Sequence, residues 1–298
     1  MKLKSNGIDI ELEDTGPGPD GGERPVVLLI MGLGMQLVAW PPGVVQLLVD
    51  SGYRVIRLDN RDIGLSQHFD HLGTPSIVWA GLKLRLGLSI VPPYTLHDMA
   101  LDAVGVLDAL AIRKTHIVGV SMGGMIAQRV ALAAPERVQS LTSIMSSSGA
   151  PGLPKADPSL MRILFSRPAN GSREAIIAHY LRLYKAIGSP GFPTDEPELR
   201  QRIALAVDRS YHPAGTQRQM LAIAADTTRA QELARIDKPT LVLHGQADPL
   251  VPFAHGQDTA RRIPGAQFAG IDGMGHDLAA GVVDRLLPHL APFLLAHR

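Results

Sequence analysis

The sequence predicts an α/β protein: a doubly wound, mostly parallel sheet with an inserted all-helical cap. Three observations predict it. Short apolar runs such as Val26-Val27-Leu28-Leu29-Ile30-Met31 read as strands buried on both faces, as in a parallel sheet covered by helices. Such runs alternate with helical stretches through residue 148 and again from residue 237. Between them, residues 158–236 contain helical segments and no convincing strand. The expected organisation is a core formed by residues 1–148 and 237–298, with a helical cap at 149–236.

The elements follow in order. Residues 1–15 form a hairpin, with Asn6-Gly7 at the turn and Ile8, Ile10 and Leu12 alternating with acidic residues. Gly16 to Arg24 is a turn-rich loop before the strand Val26–Met31. Pro42 to Ser51 is a helix stopped by Gly52, and Tyr53–Leu58 is the next strand. The polar loop Asp59-Asn60-Arg61-Asp62-Ile63-Gly64-Leu65-Ser66 follows. Residues 67–94 fit two readings, a helical lid around Trp79–Ile90 or a loop packed on the surface. Thr95-Leu96-His97-Asp98 has the form of a capping box. Leu96, Met99, Ala103, Leu107 and Leu110 then mark one helical face.

A strand from Thr115 and a helix ending near Ala134, before Pro135, flank Gly119-Val120-Ser121-Met122-Gly123; Val138–Met145 is the strand after them. Three cap helices are expected at Arg173–Ile187, Glu196–Arg209 and Gln217–Ala225. Alternation resumes with strand Thr240–His244, helix Phe253–Ile263, strand Gln267–Ile271 and a terminal helix from Asp277.

Composition narrows the function classes. The 298 residues are 45% hydrophobic and 19% charged with a net charge of +1, an ordinary globular balance that points to neither nucleic acid nor an acidic surface. With no cysteine, disulfides, thiolate metal sites and a cysteine nucleophile are excluded together. No apolar core follows the N-terminal lysines and no apolar run approaches the ~20 residues of a membrane span. A cytoplasmic protein without signal peptide or membrane span is expected.

The chemistry centres on Ser121. Gly-x-Ser-x-Gly between a strand and a helix is the nucleophile elbow, in which a sharp turn lifts the serine oxygen above the sheet. Gly119 and Gly123 lack the Cβ that would collide in that turn. A serine hydroxyl needs a base, and the base needs an orienting acid, both in loops after strands. Of eleven histidines, His276 lies in the glycine-rich loop Gly273-Met274-Gly275-His276-Asp277, after the last strand. His244 ends a strand, His116 lies inside one, and His255 and His289 fall on helices. For the acid, Asp248 follows the penultimate strand in Ala247-Asp248-Pro249, where an Asx-type turn is the structural alternative. Asp272 sits too close to His276 in sequence to approach it from behind. The oxyanion donors expected are the amides of Met122 and Leu33, with Gly32 the close alternative to Leu33.

Met31-Gly32 with Trp40 downstream, the Asp59–Ser66 loop, Gly119–Gly124, Ala247-Asp248-Pro249 and Gly273–His276 together resemble the α/β-hydrolase-fold serine esterases over the full length. Within them the chain is most similar to the aclacinomycin methylesterase-like group of bacterial hydrolases. Many α/β-hydrolases have His-Gly where this chain has Met31-Gly32, a variant that group shares. The chain is longer around residues 72–94 than that group's polyketide-ester hydrolases. The resemblance implies a serine carboxylesterase acting on small to medium esters through Ser121, His276 and Asp248, with no cofactor or metal. The same triad serves lactonases, amidases, carbon–carbon bond hydrolases and perhydrolases, and the fold also hosts a non-catalytic ligand receptor. Few strong charges are expected on the inner cap faces, which suggests a modest apolar acyl or alcohol group.

Overall fold

Eight strands form one sheet in the order β1-β2-β4-β3-β5-β6-β7-β8. The structure is a computed structural model that describes residues 1–18 and 22–298; residues 19–21 of the expected Gly16–Arg24 loop lie outside the described residues. Strands β1 (Lys2–Ser5) and β2 (Ile8–Asp14) pair antiparallel, with Asn6 and Gly7 both at positive φ as a two-residue hairpin turn demands. Strand β2 lies antiparallel on β4 (Arg54–Leu58). From β4 onward every neighbour is parallel: β3 (Val26–Ile30), β5 (Thr115–Val120), β6 (Val138–Ile144), β7 (Thr240–Gly245) and β8 (Gln267–Ile271).

Strand β3 is apolar throughout because both of its faces are covered. In β3, Leu28 and Ile30 face one core with Met99, Ala103 and Leu107 of α3 (Leu96–Ala109) and Ile126 and Val130 of α4 (Met122–Ala133). Val27 and Leu29 face the other, with Val44 and Leu48 of the first helix, Pro42–Asp50, and Val282, Leu286 and Phe293 of the last, Ala280–Ala296. A strand residue therefore changes layer at every step. The capping box forms: the Asp98 amide donates to Thr95 Oγ1 at 3.1 Å and the Thr95 amide donates to Asp98 Oδ2 at 2.8 Å.

Between β6 and β7 lie α5 (Pro158–Leu164), α6 (Arg173–Ile187), α7 (Glu196–Arg209), α8 (Pro213–Ala225) and α9 (Arg229–Glu232). Helix α8 begins at Pro213, ahead of the expected Gln217, because a proline at the first helical position loses no hydrogen bond. Helices α6 and α7 share a small core of their own around Ile177, Leu181, Leu199 and Ile203. Ala222, Leu233 and Ile236 instead pack into the sheet's α3/α4 face. In 67–94 the structure places a 3₁₀ turn at Asp70–Leu72 and an α-helix, α2 (Ile77–Arg85), with Val78 and Trp79 exposed. The last helix starts at Ala280 rather than at the expected Asp277, because Asp277 is bound by Ser189 Oγ and the preceding His276 amide donates to Ile187 O at 2.7 Å.

Candidate active site

Ser121 stands between β5 and α4 at φ 56° and ψ −120°, a backbone region that non-glycine residues rarely occupy. The surroundings hold it there. Its amide donates to Ile144 O of β6 at 2.9 Å, and its carbonyl accepts from Ser146 Oγ at 2.7 Å. A Cβ on Gly119 would lie 2.1 Å from Gly123 O, and one on Gly123 would lie 2.1 Å from Ile30 O. Both glycines are therefore sterically required, and α4 starts directly after the serine with its positive dipole end at the hydroxyl.

His276 and Asp248 meet this serine. Ser121 Oγ donates to His276 Nε2 at 3.0 Å, and His276 Nδ1 donates to Asp248 Oδ2 at 2.7 Å. Asp248 serves two ends at once. Its Oδ1 accepts from the Leu250 and Val251 amides at 2.9 and 2.8 Å, the Asx-type turn, while Oδ2 is left for the imidazole. The His276 loop is braced from the residues after α6, since the Gly275 amide donates to Ser189 Oγ at 2.8 Å. Burial pushes the neighbouring Asp277 carboxyl above its ordinary range, against the hydrogen bonds from Ser189.

Three of the other histidines are engaged elsewhere. His244 lies beside Asp248, but its Nε2 is 2.7 Å from Val251 O, and burial lowers its pKa. His116 pairs with Ser140 Oγ at 2.8 Å, and His255 bridges Ser147 Oγ and Pro154 O. Asp272 is exposed.

The loop after β3 abuts the serine: a Cβ on Gly32 would lie 3.1 Å from Ser121 Cβ. The Gly34 amide donates to Gln219 Oε1 at 2.9 Å and the Met35 amide to Gly32 O at 3.1 Å. Among the described residues the Leu33 and Met122 amides make no intramolecular hydrogen bond, so both are free to face a ligand oxygen.

The Asp59–Ser66 loop ties these parts to α7 and α8. Asn60 Nδ2 donates to Met31 O at 2.9 Å, fixing the strand end beneath Gly32. Asp59 accepts from the Leu37 amide at 2.7 Å and from Arg209 of α7 at 2.6 Å. Asp62 takes Arg218 of α8 in a two-pronged pair at 2.5 and 2.8 Å, with Tyr94 Oη donating at 2.9 Å. Burial pushes the Asp62 carboxyl up, but Arg218, the Phe69 amide and Tyr94 outweigh it and hold the group below its usual range. Arg61 pairs with Asp102 of α3 at 2.6 and 2.7 Å. Gly64 has φ 63°, and a Cβ there would sit 2.1 Å from Asp59 Oδ2.

Arg209 of α7 and Arg218 of α8 therefore point inward, which corrects the expectation that the inner faces of these helices carry few strong charges. Each is neutralised by a carboxylate from the core loop. Nothing in the spacing of Arg209, Arg218, Gln219 and Ser189 announces their partners; the readable signal is two aspartates in a short loop that must be paired if buried.

Beyond Gly34 and Met35 a cavity opens between that loop and α6, α7 and α8. It holds about 740 Å³ of non-atom space, part of it open to solvent, lined by Met35, Tyr180, Tyr184, Arg202, Ile203 and Thr216 among others. Burial pushes the Tyr184 hydroxyl up to about 12, so it stays a neutral donor, directed at Met35 Sδ at 3.2 Å.

One group of side chains has the composition of a metal site: His68, Asp70 and His212, with ligand atoms within 4.8 Å of one another. The two imidazoles are stacked with centroids 3.8 Å apart and planes 6° from parallel, so their in-plane lone pairs do not converge on one ion. Both His212 nitrogens are also engaged, by Asp62 O at 2.9 Å and Asp70 Oδ1 at 2.8 Å. The cluster reads as a clamp between α8 and the loop at residues 68–70.

A family profile described as alpha/beta hydrolase fold matches residues 25–279. The chain belongs to the alpha/beta hydrolase fold family. This alpha/beta hydrolase is 32% identical over 290 residues to a rhodomycin D methylesterase of a Streptomyces species, covering 90% of this chain and 89% of that one. It is 34% identical over 209 residues to a poly(3-hydroxyalkanoate) depolymerase of Ectopseudomonas oleovorans, 69% of this chain and 70% of that one. The fold matches the crystal structure of the enol-lactonase from Burkholderia xenovorans with a TM-score of 0.71 at 21% identity, covering 99% of this chain and 100% of that one. The resemblance to the methylesterase-like group thus extends to similarity over 90% of the chain, and the chain is a hydrolase of this family.

Proposed function

We propose that the chain is a serine carboxylesterase working through Ser121, His276 and Asp248, with residues 149–236 acting as a cap over the core. The observation that carries this reading is the continuous hydrogen-bond chain from Ser121 Oγ through both imidazole nitrogens to Asp248 Oδ2. Asp248 holds the proton on Nδ1, which leaves the Nε2 lone pair facing the serine hydroxyl. Ser121 Oγ attacks the ester carbonyl as His276 takes its proton. The carbonyl oxygen gains charge in front of the Leu33 and Met122 amides, at the N-terminal end of α4. Each such donor contributes on the order of 10²–10³ in rate. His276 then protonates the departing alcohol, and a water deprotonated by the same imidazole hydrolyses the acyl-enzyme.

The substrate class proposed is small to medium carboxylic esters. The cavity beyond Gly34 has a largely aromatic and aliphatic lining, which suits an apolar acyl or alcohol group. The methyl esters named for the Streptomyces relatives fall within this class.

The test is hydrolysis of a p-nitrophenyl ester series of increasing acyl length, with Ser121→Ala alongside. The expected result is turnover by the parent and a loss on the order of 10⁶ in kcat in the variant. Folded protein inert on every ester, or a Ser121→Ala variant as active as the parent, overturns the proposal.

A further inference from the structure

The segment between Asp70 and Asp98 is unlike the rest of the surface. Val78, Trp79, Leu86 and Val91 are 85%, 64%, 65% and 88% exposed, with Leu82 and Leu88 also open to solvent. Val78, Leu82 and Leu86 recur at four-residue steps, and the Leu86 amide still donates to Leu82 O at 3.1 Å, so they line one continuous stripe on α2 with Trp79 beside it. From residue 71 to residue 97 the sequence has no Asp or Glu, while it has Lys83 and Arg85. Scattered exposed apolar residues are ordinary, but a contiguous set including a tryptophan is not.

We propose that this segment docks the protein on a lipid surface containing anionic headgroups, lying in the interface rather than crossing it. An exposed apolar stripe with a tryptophan, in a segment whose sequence carries cations and no carboxylate, is the composition that partitions between acyl chains and negative headgroups. Charge decides against a second copy as the occupant. In a two-fold contact the segment faces itself, so its net positive charge would meet an equal positive charge with no carboxylate within residues 71–97 to offset it. No described helix is long and apolar enough to span a membrane, which leaves surface docking as the mode.

The position of the segment gives docking a consequence. Arg218 Nη1 of α8 donates to Gly73 O at 2.6 Å, and α2 itself packs on α8, whose Thr216 lines the cavity. The lipid-facing patch and the cavity thus share one helix as a wall. If the esterase reading holds, docking sets the cavity beside a reservoir of lipophilic esters; the docking itself does not depend on that reading.

The protein carries its own reporter. Of its two tryptophans, Trp40 is 1% exposed and Trp79 is open to solvent, so a change in emission on adding vesicles reports on α2. Full-length protein is titrated with phosphatidylcholine vesicles, with and without phosphatidylglycerol, while emission and co-sedimentation are followed. The expected result is a blue shift, quenching by brominated acyl chains, and partitioning on the order of tenfold stronger on the anionic vesicles, reversed by salt. Val78→Asp combined with Leu86→Asp should weaken partitioning at least tenfold. Both substitutions lie on the exposed face, so an unchanged thermal midpoint separates lost docking from lost fold. Trp79 emission unmoved by either vesicle overturns the proposal. So does a concentration-dependent blue shift without lipid accompanied by a dimer mass, which would assign the patch to a second copy. Because no step reads turnover, an inert esterase assay leaves this outcome intact.

Discussion

Asp248 uses one carboxylate oxygen to close a turn and the other to orient an imidazole, and the two uses predict different mutant behaviour. Asp248→Asn keeps an oxygen for the Leu250 and Val251 amides but presents an amide group to Nδ1. That favours the wrong tautomer. The expected outcome is a fall in kcat on the order of 10⁴ with the fold retained, by analogy with the same change in a serine protease triad. Steady-state kinetics beside a circular dichroism melt check it, and a variant retaining most of its activity would remove Asp248 from the proposed mechanism. Ser121, at φ 56°, and its two crowded glycines are the other residue-scale feature. Its local pattern was readable directly, because the sterics of a tight turn act between residues adjacent in sequence.

At the scale of elements, the Asp59–Ser66 loop is the joint between the sheet and helices α7 and α8. The Asp62 and Arg218 side chains are both fully shielded from solvent, so removing one strands the other. Arg218→Met should cost about 3–5 kcal/mol in urea unfolding, the typical result of breaking a buried pair from one side. A loss under ~1 kcal/mol would mean that Tyr94 and the Phe69 amide suffice to hold Asp62. The pH sign follows from the lowered Asp62 pKa. The pair's contribution is fully present above the unfolded value of 3.8 and is lost as pH falls through the lower folded value. The variant should therefore lose less stability on acidification below that value than the parent does.

At the scale of the whole molecule, acid sensitivity begins earlier, in the core. Burial, with the nearby charges of His297 and Arg298, lowers the His116 pKa from 6.5 to about 4. The unfolded chain binds this proton below 6.5 while the native one does not until about 4. Stability is therefore greatest above the unfolded value and falls across that window, by on the order of 3 kcal/mol from this group. His116→Asn, which keeps a partner for Ser140 Oγ and cannot titrate, should flatten the dependence of Tm on pH between those values. An unchanged slope would place the sensitivity elsewhere.

How much was legible varies with the range of the interaction. The parallel sheet was legible in Val26–Ile30 and Thr115–Val120, because burial on both faces leaves no polar alternation. The α3 start was legible in Thr95 and Asp98, three residues apart. Chain order and loop type were enough to single out Ser121, Asp248 and His276, and the structure brings these three side chains within hydrogen-bond reach. The inward cap arginines were not legible. Arg209 and Arg218 lie 150 and 156 residues from Asp59 and Asp62, and no sequence spacing encodes a partner at that distance. The α2 stripe was ambiguous for a related reason: apolar spacing marks a helix equally well whether its face is buried or bare. Backbone sterics, hydrophobic period and capping act over a few residues, so the sequence by itself determined the strands, most helices and the tight serine turn. Which buried charges meet, where α7 and α8 pack and which apolar face stays open depend on elements far apart in the chain, so only the tertiary structure decided them.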